Sequence, residues 1–210
     1  SGHVWAWGLN MSGQLGDGSN DNHPNPQLVK GIDDVVFVAA GYRSSLAIKK
    51  DGSVWVWGGN CNLQDKPDKT VTQLIASLST GGYNDGSGGT IDHITPEDNC
   101  IQERYLNIYS YVPKKIEGLP PIKQASVGFG HTLAISEDGD LWAWGCNRYG
   151  QIGTGKVGSL DENLRPIKIT AVGKLRSVSA GFRHSVAIDD DGQVWAWGHN
   201  YFGELGNGKH

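Results

Sequence analysis

The stretch Val4-Trp5-Ala6-Trp7-Gly8-Leu9-Asn10 decides the fold of this 210-residue chain, because it recurs three times further along the sequence. The copies begin at Val54, Leu141 and Val194, and the four together contain all eight tryptophans. The first two copies start 50 residues apart, the last two 53 apart, and the middle two 87 apart. Self-similarity at a period of this length is the signature of a repeat architecture. The sequence therefore predicts a tandem-repeat protein with one insertion.

The repeat has the local pattern of β-structure. A Leu/Val-Ala-Ile run precedes each of the last three tryptophan copies, and an Asp-Gly pair separates the two segments: Asp51-Gly52, Asp138-Gly139 and Asp191-Gly192. Asp-Gly between β-prone runs predicts a hairpin, because the turn requires positive φ values that Gly prefers and Asp tolerates. A Val-Trp-Ala-Trp strand is apolar on both faces and must be covered on both. Four short strands per repeat, sandwiched by neighbouring repeats, predict the blades of a β-propeller.

Two further motifs recur in phase with the tryptophans. Gly13-Gln14-Leu15-Gly16 has counterparts at 150–153 and 203–206, and Ala40-Gly41 through Leu46-Ala47-Ile48 has counterparts at 127–135 and 180–188. In this order the motifs resemble the repeat of the regulator-of-chromosome-condensation-1 (RCC1) family. That resemblance implies a ring of seven blades. The sequence departs from the family pattern at Ser44, where a histidine is expected, and in the second repeat, which lacks Gly-Gln-Leu-Gly.

The fold class that follows is all-β, a partial β-propeller of about three to four RCC1-like four-stranded blades with one long insertion. Residues 1–60 form one repeat and the start of a second, residues 61–112 the insertion, and residues 113–210 the remaining repeats, the last incomplete. We expect the tryptophan strands to be innermost or near-innermost in their blades. Three arrangements stay open, because unpaired strand edges must be covered. They are a piece of a longer propeller, a ring completed by self-association or another chain, and an open arc capped by the insertion.

The insertion is the most individual part of the chain, 34 to 37 residues longer than the matching segments of other repeats. Long loops on rigid scaffolds often carry binding residues, and tyrosine is a frequent contact residue. The alternative is a tolerated decoration or a cap on an open edge. The binding candidates are Tyr83, Tyr105, Tyr109 and Tyr111, with Tyr149, Tyr201 and Phe202 as secondary candidates that could equally be packed turn residues.

Two of the three cysteines bracket the insertion. A Cys61–Cys100 disulfide would close a loop of about 40 residues and contribute roughly 3–4 kcal/mol in the chain-entropy model. The alternative is two ordinary thiols. If the disulfide forms, an oxidising compartment follows, so an extracellular or cell-surface location is favoured. Cys146 occupies the variable position of the Trp-Gly-x-Asn motif and is predicted to be structural.

Charge and motifs exclude several function classes. The formal net charge of −4 is carried entirely by residues 61–112, so no strongly basic face is required, which argues against nucleic-acid binding. No apolar run approaches the roughly 20 residues of a membrane helix. The cysteines lack metal-site spacing, and no phosphate-binding loop, nucleophile elbow or acid pair is present, so no metal, cofactor or catalytic residue is predicted. His131 and His184, at equivalent repeat positions, are interpreted as structural.

The leading hypothesis is a non-enzymatic protein–protein interaction scaffold whose rigid blades present loops to a partner. A second hypothesis, implied only by the founding member of the resembling family, is guanine-nucleotide exchange on a small GTPase. A third is a secreted inhibitor or a carbohydrate-binding propeller. Fold alone does not decide among these, because one scaffold hosts many functions.

Overall fold

The computed structural model describes residues 2–59, 109–157 and 165–209. Thirteen β-strands lie in these ranges, in four antiparallel sheets that we call blades 1 to 4. Blade 1 pairs β1 (Trp5–Gly8) with β2 (His23–Leu28). Blade 2 has the order β3 (Val35–Ala40), β4 (Ser44–Lys49), β5 (Val54–Gly59) and β6 (Tyr109–Lys115).

Blade 3 repeats that order with β7 (Ile122–Val127), β8 (His131–Ser136), β9 (Leu141–Gly145) and β10 (Ile167–Ile169). Blade 4 comprises β11 (Leu175–Ala180), β12 (His184–Asp189) and β13 (Val194–Gly198). The predicted all-β fold of stacked blades is confirmed. The segment 60–108, which contains most of the predicted insertion, lies outside the described residues.

The predicted Asp-Gly hairpins join the second and third strands of blades 2, 3 and 4. Gly52, Gly139 and Gly192 have φ values of +80°, +83° and +82°, which an L side chain rarely adopts. In the first of these turns the Gly52 amide donates to the Lys49 carbonyl at 2.9 Å. The Asp-Gly pair of each turn therefore fixes the register of the tryptophan strand against the strand before it.

The middle strands of blade 2 are buried on both faces, as their unbroken apolar sequence requires. On β5, Val54 and Val56 pack into the core against blade 3, while Trp57 points the other way into the core against blade 1. Val54 and Trp57 are each 1% exposed. Because successive side chains of a strand alternate between faces, one strand supplies both inter-blade cores.

A separate apolar core fills the space between each pair of successive blades. Between blades 2 and 3 it includes Leu46, Ile48, Val54, Val56, Ile122, Ala125, Ala134 and Trp144. Between blades 3 and 4 it includes Leu133, Ile135, Leu141, Ala143, Ile169, Leu175, Val178 and Ala187. Each blade thus covers the apolar face of the next, which is the packing principle of repeat proteins.

The tryptophan strands do not make the close contacts between neighbouring blades that an innermost or near-innermost position was expected to give. They are third in sheet order in blades 2, 3 and 4, and the close contacts between neighbouring blades are made by the first and second strands. The physical reason lies at the end of the first strand, where glycine follows directly as Gly41, Gly128 or Gly181. A strand that ends in glycine lets two backbones approach where a bulky tryptophan would hold them apart.

The two outer blades expose surfaces that the inner blades bury. Trp7 of blade 1 is 61% exposed, whereas its equivalents Trp57 and Trp144 are at most 1% exposed. Val194 of blade 4 is 69% exposed, against 1% for its equivalent Leu141. The same repeat positions are therefore core or surface according to whether a neighbouring blade is present.

Candidate functional site: an aromatic and arginine face

Three short loops at equivalent repeat positions form the centre of the candidate site. They connect the first and second strands of blades 2, 3 and 4 and read Gly-Tyr-Arg (41–43), Gly-Phe-Gly (128–130) and Gly-Phe-Arg (181–183). Each begins with a glycine whose amide donates to a carbonyl three residues on, for example Gly41 to Ser44 at 2.8 Å. The loops are tight, so the residue after each glycine lies at the same end of blades 2, 3 and 4.

The glycines also allow the three loops to nest against one another. A Cβ on Gly41 would lie 2.5 Å from Val127 Cγ1 of the next blade, and one on Gly128 would lie 2.4 Å from the Gly181 carbonyl oxygen. No real Cβ tolerates such contacts. Only glycine permits this approach, which brings the next side chains of all three loops together.

Those side chains form a triangular ring cluster of Tyr42, Phe129 and Phe182. The ring centroid of Phe129 is 4.9 Å from that of Tyr42 and 4.3 Å from that of Phe182, and the outer two are 6.4 Å apart. These spacings are typical of favourable aromatic pairs. Although Tyr42 and Phe182 are packed against Phe129, they remain 57% and 53% exposed. The cluster is therefore an aromatic surface rather than part of a core.

Two guanidinium groups lie over the rings of this surface. Arg43 lies 5.4 Å from the Tyr42 centroid, and Arg183 lies 5.2 Å from the Phe182 centroid. Arg183 is also 5.2 Å from the ring of Tyr149 and donates a hydrogen bond to its hydroxyl at 3.1 Å. Cation–π contacts at such distances hold a guanidinium in place without neutralising its charge.

Through Tyr149 the surface continues onto the loop that follows β13. The Tyr149 ring meets His199 edge to face at 4.7 Å, and His199 lies 6.4 Å from Tyr201 and 6.3 Å from Phe202. Tyr201 and Phe202 are 73% and 82% exposed. We call the whole surface the aromatic face; it comprises Tyr42, Arg43, Phe129, Tyr149, Phe182, Arg183, His199, Tyr201 and Phe202.

Glu204 fixes the outer part of the aromatic face. Its carboxylate accepts hydrogen bonds from His199 Nδ1 at 2.7 Å and from the Phe202 amide at 2.9 Å. Desolvation by itself would raise the pKa of Glu204, but these hydrogen bonds outweigh it and lower the pKa to about 2. The carboxylate is therefore ionised and engaged at neutral pH, so it anchors the loop.

His131 occupies the core and not the aromatic face. It is fully buried on β8, with Nε2 3.0 Å from Ser185 Oγ, and that hydroxyl in turn donates to the Gln151 carbonyl at 2.7 Å. Burial, together with the nearby His184, lowers the pKa of His131 to about 4. A neutral imidazole that links blades 3 and 4 agrees with the structural role predicted for it.

The predicted binding residues fall into three groups. Tyr149, Tyr201 and Phe202 come together on the aromatic face, where their binding role stays a prediction. Tyr111 lies apart on β6, 38% exposed and close to Gly13, and Tyr109 begins the same strand. Tyr83 and Tyr105, like Cys61 and Cys100, lie outside the described residues.

Sequence reasoning missed the ring cluster. Its signal was an aromatic residue directly after the repeated glycine, at 42, 129 and 182, with the same spacings of 87 and 53 residues as the tryptophan copies. Cys146 is buried and disulfide-bonded. The other two cysteines lie outside the described residues, and in a chain of three cysteines a bond at Cys146 and a Cys61–Cys100 bond exclude each other within one molecule.

The described parts of the chain lack two further kinds of feature. No group of three or more His, Cys, Asp or Glu side chains there could hold a metal ion. Among the same residues, no helix is long and apolar enough to cross a membrane.

Comparison with known proteins places this geometry in a family. One family model of the regulator of chromosome condensation (RCC1) repeat matches residues 1–48 and 138–188. A second model of the same repeat matches residues 35–64, 122–151 and 175–204. The chain is 31% identical over 242 aligned residues to the ultraviolet-B receptor UVR8 of Arabidopsis thaliana, with 99% of the chain and 51% of UVR8 covered. It thus spans about half the length of this relative.

Two solved structures show the same fold. The structure of Prp20p from Saccharomyces cerevisiae, reported with its binding to Gsp1p and histones, superposes with a TM-score of 0.69 at 23% identity, covering 100% of this chain and 44% of that one. Yeast RCC1 (Prp20) bound to Kap60 gives 0.65 at 24% identity, covering 97% and 40%. With repeat motifs, blade topology and family models in agreement, the chain belongs to the RCC1 repeat family and forms part of an RCC1-like β-propeller.

Proposed function

We propose that this part of an RCC1-like propeller is a non-enzymatic protein-interaction scaffold that binds a protein partner through the aromatic face. The observation that carries the proposal is the gathering of exposed tyrosine, phenylalanine and arginine side chains from three blades into one surface. Tyrosine and arginine are enriched among the residues that dominate binding energy at protein interfaces. Exposed contiguous aromatic surface is uncommon on proteins without a partner.

The face is also pre-organised for binding. Arg183 is held by two aromatic rings and by the Tyr149 hydroxyl, and the loop bearing Tyr201 and Phe202 is fixed by Glu204. Side chains that are already ordered lose less conformational freedom when a partner binds, so more of the contact energy appears as affinity. The nested glycine loops make the scaffold beneath them rigid.

Affinity capture with matched variants tests the proposal. The double variant Tyr42→Ala/Phe182→Ala removes two rings of the cluster, and Lys50→Ala changes an exposed residue of a hairpin turn at the other end of blade 2. We expect captured partners to be retained by the wild type and by Lys50→Ala and lost from the double variant. Equal urea midpoints for all three proteins control for folding. Partners that bind the double variant as well as the wild type would refute the proposal.

Guanine-nucleotide exchange is the second candidate, and its support is the yeast relative whose reported properties include binding to Gsp1p. That relative is 23% identical and more than twice as long, so the similarity shows a shared fold and not a shared activity. A GDP-release assay with purified small GTPases separates the two candidates. Accelerated release by the chain would favour exchange; unchanged release together with tight binding would favour a scaffold.

Carbohydrate binding, part of the third hypothesis, finds its support in a cleft between blades 3 and 4. The cleft has a volume of about 370 Å³ and is lined by Tyr149, Trp195, Trp197 and Val157 among others. Aromatic rings in a concave site are suited to stacking on sugar faces. A glycan array screened with the wild type and with Trp195→Ala tests this alternative.

We further propose that the exposed outer faces of blades 1 and 4 are covered by additional blades, either from the same polypeptide or from another chain. Trp7 and Val194 occupy positions that are core in the inner blades, which supports coverage by a like surface. The solution mass of the 22.6 kDa chain tests the self-association form: a dimer supports it and a monomer contradicts it. An extracellular location stays a prediction. It depends on a Cys61–Cys100 disulfide, which a bond at Cys146 excludes within one molecule, and peptide mapping without reductant shows which cysteines are bonded.

A further inference from the structure

The two ends of the blade stack carry opposite charge. The first–second strand loops and the loops after the tryptophan strands of blades 3 and 4 contain Arg43, Arg148, Lys156, Arg183 and Lys209, with Glu204 as their acid. The hairpin turns at the opposite end contain Asp51, Glu137, Asp138, Asp140, Asp190 and Asp191, with Lys50 as their base. Within the described residues, the end that bears the aromatic face is therefore the basic one.

Two acids at the aromatic end, Glu204 and Asp17, bind neighbouring residues. Glu204 holds His199, and in blade 1 Asp17 lies 2.9 Å from His23 and accepts bonds from Ser19. Asp21, next to that loop, is exposed. Within the described residues, none of these carboxylates pairs with Arg43 or Arg183. Among the described residues, the positive charge of Arg43 and Arg183 is therefore not neutralised by a carboxylate.

Two carboxylates towards the opposite end are paired with lysines. Asp140 binds both Lys168 at 2.8 Å and Lys174 at 2.7 Å, which lowers its pKa, and Asp33 binds Lys49 at 2.8 Å. A guanidinium held over aromatic rings keeps most of its N–H donors for a carboxylate, although Arg183 Nη1 already donates one hydrogen bond to the Tyr149 hydroxyl. Arg43 and Arg183 form no ion pair among the described residues.

Resting on the proposed function, we propose that the partner of the aromatic face is an acidic protein segment. Its carboxylates would bind Arg43 and Arg183, and an apolar or aromatic side chain between them would pack on the ring cluster of Tyr42, Phe129 and Phe182. Charge complementarity selects an acidic segment, since it accelerates association and fixes register while like-charged segments are repelled. The rings supply the apolar contact that charges alone lack.

Fluorescence anisotropy with a defined probe tests the assignment. The probe is a fluorescein-labelled twelve-residue peptide of alternating Asp and Leu with one central Phe, and the matched control peptide has Asn in place of Asp. We expect Arg43→Gln and Arg183→Gln each to weaken binding of the acidic peptide by about tenfold, the loss of one charge-assisted contact. Arg176→Gln, an exposed arginine near the hairpin end, should leave binding unchanged. Raising the salt concentration from 50 to 300 mM should weaken binding of the acidic peptide and leave binding of the control peptide unchanged.

Three outcomes would overturn the assignment. One is equal binding of the acidic and Asn peptides, and another is wild-type affinity in both arginine variants. The third is acidic-peptide binding that appears only after residues 62–99 are deleted, since the occupant would then be a segment of this chain. Failure of the proposed function is recognised separately, by partners that survive Tyr42→Ala/Phe182→Ala in the capture experiment. A partner that fails to bind Tyr42→Ala/Phe182→Ala but binds both arginine variants as tightly as the wild type would refute only the preference for acidic segments. The aromatic face would then still be a binding site.

Discussion

Replacing Gly128 by alanine should destabilise the chain through a collision between two blades. The added Cβ would lie 2.4 Å from the Gly181 carbonyl oxygen and 2.5 Å from His131 Cε1. Reaching even 3.0 Å from that oxygen requires a shift of about 0.6 Å. The obstacles are a backbone carbonyl and a fully buried ring, so the loop of blade 4 must move. Overpacking of this kind costs about 1–3 kcal/mol.

Part of that cost is offset, because alanine restricts the unfolded chain and so stabilises by about 0.4–1 kcal/mol. We expect a net loss of about 1–2 kcal/mol, which lowers the urea midpoint by about 0.5 M if the m-value is near 2–3 kcal/mol/M. Gly173→Ala is the matched control, because its Cβ would meet no atom within 4 Å. It should raise the midpoint slightly. If Gly128→Ala were as stable as Gly173→Ala, the nested-loop packing of blades 3 and 4 would be refuted.

Two further predictions use equivalent positions and pH. Trp57→Ala should lower the free energy of unfolding by about 3–5 kcal/mol, because it leaves a cavity in a core and removes the Nε1 hydrogen bond to the Gln14 carbonyl at 2.9 Å. Trp7→Ala should lower it by under about 1 kcal/mol, because the Trp7 side chain is 61% exposed. Equal losses in urea unfolding would mean that Trp7 is covered. His131 has a folded pKa of about 4 against about 6.5 when unfolded, so the unfolded state takes up the proton first and stability falls as pH drops from 6.5 to 4. The loss attributable to this group is at most about 3 kcal/mol. Replacement by serine, the residue found at the equivalent position 44, should flatten this part of the pH profile; an unchanged profile would contradict the buried neutral assignment.

The local features of the fold were predictable because a few adjacent residues determine them. Asp51-Gly52 specifies a hairpin wherever it lies between two β-prone runs, and all three such pairs form that turn. The burial of β5 on both faces also followed from its unbroken apolar sequence. These inferences required nothing from distant parts of the chain.

Properties that depend on neighbouring blades could not be read in the same way. Trp7 and Trp57 have nearly the same sequence context but are 61% and 1% exposed, since burial is decided by the adjacent blade and not by the motif. The strands that make the closest contacts between blades were not identified from the sequence for a similar reason. Tryptophan marks a buried strand, whereas glycine after the first strand marks where the blades approach most closely.

The candidate site was found only in part. Tyr149, Tyr201 and Phe202 attracted notice as aromatic residues in loops, but their connection to Tyr42 and Phe182 runs through tertiary contacts. The spacing of the aromatic residues after the repeated glycine was visible in the sequence. What the sequence lacked was the nesting of the glycine loops, which turns three separate positions into one surface.

Contacts between the rings of Phe129, Tyr42 and Phe182 test the central claim most directly. The chain has four phenylalanines and seven tyrosines, so selective labelling of these residues allows ring protons to be assigned by NMR. We predict strong nuclear Overhauser effects from the Phe129 ring to the Tyr42 ring and to the Phe182 ring, whose centroids lie 4.9 Å and 4.3 Å away. Absence of both effects in the folded protein would show that the loops of the three blades do not converge, and would contradict the stacked-blade account and the aromatic face together.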